Sequence, residues 1–312
     1  MTISTFQVSQ EMIDSSFKKL KGDQKISVCI PCKNEESTIG EIISSVNNKL
    51  LINGYIDELI VIDDSSTDST ASIARELGAD VVPIESINSI YGQGRGKGNA
   101  LWGSLIASEG HIVVWLDGDL LNFEPVWVLQ LAFPLLTNDS IHLVKADYKR
   151  SEKSGGGGRN TELVAKPLLS LHFPSLTGLK QPLAGEYAVR RSAVSQINLM
   201  QGWGVEIAMI IDIERRFGSQ SIAQSDLGSR EHRHRSLKDL SVQAAEILAT
   251  VHRRIDPAKS ISDMNLTFVN NENDSVELNM DERISINRVK INSLAELKTG
   301  SKSTEILPHQ RI

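Results

Sequence analysis

The chain has 312 residues, 40% of them apolar and only 5% aromatic, so Ile, Leu, Val and Ala must fill a sizeable core. Its 33 basic and 39 acidic side chains sum to −6, which excludes a general nucleic-acid binder. Two cysteines cannot build a disulfide framework, and the longest apolar run, 126–136, is interrupted by Gln130 and Pro134 and is too short to span a bilayer. The N-terminus lacks a basic-then-apolar leader. These features predict a soluble cytoplasmic protein with no integral membrane association and no nucleic-acid partner.

Residues 1–24 read as a helical lead-in, with Phe6, Met12, Ile13 and Phe17 on one stripe. Strands are predicted over Ile26–Ile30, Glu58–Ile62, Ala79–Ile84 and His111–Leu116, each a short apolar run. Helices are predicted between them over Ser37–Asn48, Ser69–Leu77 and Gly98–Ser108, with Ser37-Thr38 and Thr67-Asp68 as N-caps. That alternation predicts an α/β fold with a mostly parallel, Rossmann-like sheet flanked by helices. Beyond about 140 the alternation weakens: a strand-like 142–148, a glycine-rich loop, a helix over Glu162–Leu171, a turn region over 174–185 and an α-rich stretch to about 254. The expected organisation is the lead-in, a ligand-binding α/β half at 25–140, a second half of the same domain at 141–255, and an extension at 256–312 in which VELNM and ERISI suggest strands.

In open parallel sheets ligands bind beyond the carboxyl ends of the strands. The polar clusters sit there: Pro31 to Glu36, Asp63 to Asp68, and Asp117-Gly118-Asp119. Two carboxylates at i and i+2 on extended chain point the same way, and hard divalent ions such as Mg²⁺ or Mn²⁺ suit carboxylates shared with phosphate oxygens. Arg230 to Arg235 places two histidines and three arginines in six residues, a composition suited to a metal ligand and phosphate clamps. Ser154 to Thr161 offers free backbone N–H groups and Arg159 beside a helix start. Gly92 to Gly98 fails the P-loop pattern at Tyr91 and Gly98 and reads as a flexible loop that brings Lys97 to a phosphate or base. Cys29-Ile-Pro-Cys32 has redox spacing, but Cys29 lies within a strand. The apolar residues from Trp203 to Ile213 read as core, with Glu206 the exceptional carboxylate.

Pro31 to Glu36, Asp63 to Asp68, Gly96-Lys97-Gly98 and Asp117-Gly118-Asp119, in that order, resemble a GT-A nucleotide-sugar glycosyltransferase. Gly158-Arg159-Asn160-Thr161, Gln181 to Tyr187, Gly204-Val205-Glu206 and His232 to Arg235 narrow the resemblance to the glucosyl-3-phosphoglycerate synthase family over residues 25–255. The resemblance implies the GT-A fold and retaining transfer of glucose from UDP-glucose to the 2-hydroxyl of 3-phosphoglycerate, aided by Mg²⁺ or Mn²⁺, in a homodimer. It implies metal ligation by Asp119 and His232, and catalytic roles for Glu206 and Asp117. Donor contacts are implied for Pro31, Lys33, Glu35, Asp63, Asp64, Lys97, Asp117, Gly118, Leu183 and Arg230. Acceptor contacts are implied for Gly158, Arg159, Asn160, Thr161, His234 and Arg235. Lys33, Asp64 and His234 depart from the family pattern, the first two on the side of the nucleotide base. Alternatives are a GDP-mannose or GDP-glucose donor, a lipid-phosphate or polysaccharide acceptor, and a non-catalytic nucleotide-sugar sensor.

Overall fold

A computed structural model describes residues 3–150, 158–231, 237–256, 265–269 and 275–279. The chain opens with a short strand, β1 (Ser4–Phe6), then helix α1 (Gln10–Lys21). Ser9 starts α1 by accepting the Met12 N–H, basic residues crowd its last turn, and Gly22 at φ 50° ends it. Four strand–helix units follow: β2 (Ile26–Cys32) with α2 (Ile39–Val46), β3 (Glu58–Asp63) with α3 (Thr70–Glu76), β4 (Asp80–Pro83) with α4 (Ile84–Tyr91) and α5 (Gly96–Ala107), and β5 (Ile112–Trp115) with α6 (Val126–Thr137). The remaining elements are β6 (Leu143–Arg150), α7 (Lys166–His172), β7 (Tyr187–Arg190), α8 (Arg191–Val194), α9 (Val205–Phe217), β8 (Ile222–Arg230) and α10 (Leu237–Ile255), with a separate antiparallel pair of strands, β9 (Asn265–Val269) and β10 (Ser275–Asn279).

Strands one to eight form one sheet in the order β1-β8-β6-β7-β5-β2-β3-β4. Every pairing is parallel except those of β7, which runs against both β5 and β6. Alternation along the strands divides the core in two. Val28, Ile30, Cys32, Val61 and Val114 face the layer containing α1, α2 and α6. Cys29, Ile60, Ile62, Val113, Trp115 and Tyr187 face that of α4, α5 and α9. Cys29 and Cys32 therefore lie on opposite faces, both buried with free thiols, and burial pushes the Cys29 thiol up to about 12. A redox pair is excluded by this geometry.

The four predicted N-terminal strands and their helices are present, and the strand-like 142–148 is β6. The structure corrects several finer expectations. Phe6 lies on β1, paired in parallel with β8, and Met12 is exposed, so the buried stripe of α1 is Ile13 and Phe17. Thr38 does not cap α2; its hydroxyl donates to the Gly118 carbonyl at 2.7 Å. Nor do Thr67 and Asp68 cap α3: the N-cap position is Ser69, and Asp68, one residue earlier, accepts the Thr70 N–H at 3.0 Å. Ile84 begins a helix, and Gly96 to Gly98 form the first turn of α5 rather than a loop. Strands β7, β8 and β9 were not anticipated. VELNM overlaps β10, whereas ERISI lies outside the described residues. Among the described residues no helix is long and apolar enough to cross a membrane.

Candidate active site

Because β7 alone is reversed, its start lies level with the end of β5, where Tyr187 pairs with Trp115, and on its other side Tyr187 pairs with Lys145 of β6. The turn that enters β7 meets the exits of β5 and β8 and the second half of β6: Gly185 packs on Asp117, Glu186 binds Arg230, and Gln181 donates to the Tyr148 carbonyl. Helices α5 and α9 aim their first turns at the same place, bringing Lys97 and Glu206. Two adjoining cavities result, sharing Lys97, Asp117, Asp119 and Trp203.

The first cavity, about 970 Å³, is lined by Pro31, Lys33, Glu35, Asp64, Gly96, Lys97, Asp117, Gly118 and Asp119. Its rim is two laced loops. The Asn34 amide N–H donates to Ser66 Oγ and its side chain accepts from the Thr67 N–H; Glu36 and Asp68 exchange similar bonds with the opposite loop, and the Glu35 N–H donates to Thr70. Asn34 and Ser65 take left-handed backbone, φ 57° and 59°, a cost the lacing must hold in place. Asp63 does not reach the cavity; its carboxylate accepts the Ser66 N–H and shapes the turn. The neighbouring Asp64 does, with Lys33 at 3.8 Å. Burial raises the Asp64 carboxyl pKa, partly offset by Lys33.

Between the cavities lies a buried charge network. Asp117 is gripped by Lys97 at 2.6 Å and Arg230 at 2.8 Å. Lys97 also binds Glu206 at 2.7 Å, and Arg230 binds Glu186 at 2.9 Å. Glu206 and Arg230 are each only 4% exposed, so unpaired they would cost several kcal/mol (roughly 3–5) each. Burial opposes the charge on Lys97, but Asp117 and Glu206 outweigh it and hold the ammonium well above its ordinary value. Arg230 is raised likewise, by Glu186, Tyr148 and Asp117 against burial. Gly185 packs against Asp117 so closely that a Cβ there would overlap the carboxylate.

Asp119 faces both cavities, 3.6 Å from Arg230. Its hard carboxylate oxygens at the mouth of a polar cleft fit Mg²⁺ or Mn²⁺. Among the described residues no three metal-binding side chains cluster, and Asp119 would need ligands from elsewhere. His232, together with His234 and Arg235, lies outside the described residues.

The second cavity, about 810 Å³, is lined by Arg150, Gly158, Arg159, Asn160, Thr161, Leu183, Glu206 and Arg230, with Leu240, Gln243 and Ile247 of α10 opposite. Gly158, at φ 90°, lies against the Arg150 guanidinium, where a Cβ would intrude, and Asn160 donates to the Leu240 carbonyl at 3.2 Å. Three arginines with a lysine at its edge suit a ligand bearing phosphate and carboxylate.

The structure thus brings the described predicted residues to the two cavities, Asp63 excepted. Sequence reasoning missed others. Trp203, read as core, walls both cavities, its amide N–H donating to Glu246 of α10 at 2.7 Å and its ring 6.0 Å from Lys97. Flanking Gly202 and Gly204 were the available signal, since a tryptophan between glycines is poorly suited to a continuous helix. Arg150 had for a signal only the basic excess from Lys145 to Lys166, six basic residues against three acidic, and the α10 residues gave none.

The fold and cleft are those of a nucleotide-sugar glycosyltransferase. The chain belongs to glycosyl transferase family 2, whose sequence pattern matches residues 27–197, and within it to the glucosyl-3-phosphoglycerate synthases. It is 44% identical over 243 residues to the glucosyl-3-phosphoglycerate synthase of Mycolicibacterium paratuberculosis, covering 75% of this chain and 73% of that protein. It is 41% identical over 293 residues to that of Petrotoga mobilis, covering 90% of each. The crystal structure of the Mycobacterium tuberculosis synthase with Mn²⁺, UDP-glucose and phosphoglyceric acid superposes with a TM-score of 0.83 at 37% identity, covering 94% of this chain and 99% of that one.

Proposed function

We propose that this chain transfers glucose from UDP-glucose to the 2-hydroxyl of 3-phosphoglycerate, releasing UDP with retention at the anomeric carbon. The observation that carries the reading is the pair of adjoining cavities, one rimmed by the laced loops and the other by three arginines, meeting at Lys97, Asp117, Asp119 and Trp203. A bound Mg²⁺ or Mn²⁺ would neutralise charge on the leaving diphosphate, held by Asp119 and His232. Lys97, already cationic and facing both cavities, adds positive charge beside the bond that breaks. Arg150 and Arg159 bind the acceptor's phosphate and carboxylate, while Gly158, Asn160 and Thr161 shape that end. Glu206 lines the second cavity and is paired with Lys97 at the junction, so it orients the sugar against the incoming hydroxyl. Residues 25–140 thereby serve mainly the donor and 141–255 mainly the acceptor. A cytoplasmic homodimer completes the reading, resting on the family resemblance and, for the compartment, on the two free thiols.

Incubation of the purified protein with UDP-glucose should release UDP only when 3-phosphoglycerate and a divalent ion are both present. No turnover with any phosphorylated three-carbon acid would overturn the assignment. The Lys33–Asp64 pair supports a second donor. A carboxylate accepts from N–H groups, and a guanine edge presents two adjacent donor groups where uracil presents one. Side-by-side assays of UDP-glucose and GDP-glucose decide between them.

A further inference from the structure

Lys145 is a buried cation that the proposed chemistry does not use. It sits on β6 in a row that crosses the sheet, opposite Tyr187 of β7 and Gln224 of β8, and is 1% exposed. Among the described residues no carboxylate oxygen lies within ion-pair distance of it. Its ammonium instead donates to the Ala184 carbonyl at 2.5 Å and sits 4.1 Å from the Tyr187 ring centroid. A lysine is rarely buried without a direct acidic partner, because desolvating its charge is costly.

The carbonyl it holds is the middle of the turn that enters β7. Leu183, just before, lines the second cavity. Gly185, just after, packs on the Asp117 carboxylate, and Glu186 grips Arg230, which returns to Asp117. One hydrogen bond thus governs a segment that touches the cavity and both sides of the charge network. We infer that Lys145 is a positioning residue for glucosyl transfer: its ammonium fixes the Leu183–Glu186 turn against Asp117 and Arg230 in the arrangement the donor requires. The inference rests on the function proposed above.

The charged groups around Lys145 explain why this hold is conditional. Burial pulls its pKa down from 10.5 to about 7; Glu206, Glu186 and Asp117 favour its charge and Lys97 opposes it. With Lys145 charged, the acids Asp117, Asp119, Glu186 and Glu206 face Lys97, Arg230 and Lys145. Deprotonation removes one of those three cations, weakens the grip on Ala184 and makes the centre more repellent to a diphosphate.

The test compares wild type, Lys145→Met and Lys145→Arg by steady-state kinetics from pH 6 to 9, with calorimetric binding of UDP-glucose plus Mg²⁺ at both ends of that range. In wild type, binding and kcat/KM should fall with rising pH about a mid-point near 7. In Lys145→Met both should be lower at pH 6 by about tenfold or more, the size expected for one charged hydrogen bond, and should lose that pH dependence. Lys145→Arg should restore part of the loss at pH 6 and keep it through pH 9, because a guanidinium stays protonated. Circular dichroism establishes that each variant is folded. Folded Lys145→Met with kinetics and pH profile like wild type, or wild-type binding flat across the range, would overturn the inference. The binding arm needs no turnover, so failure of the proposed reaction reads out separately from failure of the role for Lys145.

Discussion

A carboxylate gripped by two cations is a poor base and a poor nucleophile, and Asp117 is so gripped. In this geometry it holds Lys97 and Arg230 in register. Asp117→Asn keeps the shape but leaves two buried cations under-compensated; kcat should drop about a hundredfold or more, together with a lower Tm, measured by UDP release and calorimetry. Arg159 has a different task, since it lines only the arginine-rich cavity. Arg159→Ala should raise KM for 3-phosphoglycerate about 10- to 100-fold and leave KM for UDP-glucose within about twofold. Lys145 adds a linkage effect. Its folded-state pKa lies below its unfolded one, so the unfolded chain binds more protons between about pH 7 and 10.5. Its burial therefore costs stability below pH 7, and that cost fades as pH rises. The Tm of wild type minus that of Lys145→Met should increase from pH 7 to pH 10. Single residues were legible in the sequence where charge interrupts the end of an apolar strand, as at Lys33, Asp64 and Asp119. Which of Asp63 and Asp64 faces the cavity depends on how the turn after β3 folds, and that pair was not separable. Lys145 stood in plain view within HLVKADY, but a lone lysine in a strand more often marks an edge than a buried clamp.

At the scale of elements, the site depends on how closely α5 approaches the segment before α9. Gly98 lies against the Met200 carbonyl, where a Cβ would overlap it, and Gly96 lies against Gly202. The Arg95 N–H donates to the Gln201 side chain at 3.0 Å on the same seam. Gly98→Ala should push the Trp203 segment away from Lys97, costing about 1–3 kcal/mol of stability and a larger share of activity than of Tm; chemical denaturation alongside kinetics checks both. The parallel strands β2, β3 and β5 were readable because strands buried on both faces are continuous apolar runs. Strand β7 is only four residues long, and β8 reads IAQSDLGSR, in which the polar Gln224, Ser225 and Arg230 are buried while Ser229 meets water. Neither carries a period of two, so the second half looked irregular although the same sheet runs through it.

For the whole molecule, the net negative charge and the anionic substrates repel each other, so binding must be local: arginines in one cavity and, in the proposed function, a divalent ion held with the help of Asp119. EDTA should abolish transfer, Mg²⁺ or Mn²⁺ should restore it, and Tm should move little, because the described charge network is paired without an ion. The family and the location of the cleft were evident from the order of motifs, whereas the reversal of β7 that gathers them was not. One part of the architecture bears on how the protein can be handled. Three residues near the amino terminus, Ser4 to Phe6, cover the outer margin of β8, the strand whose far end delivers Arg230. Expressed without its first eight residues, the polypeptide would present that margin bare, ready to accept a strand from a neighbouring molecule, and clumping rather than simple unfolding is the failure to watch for by light scattering.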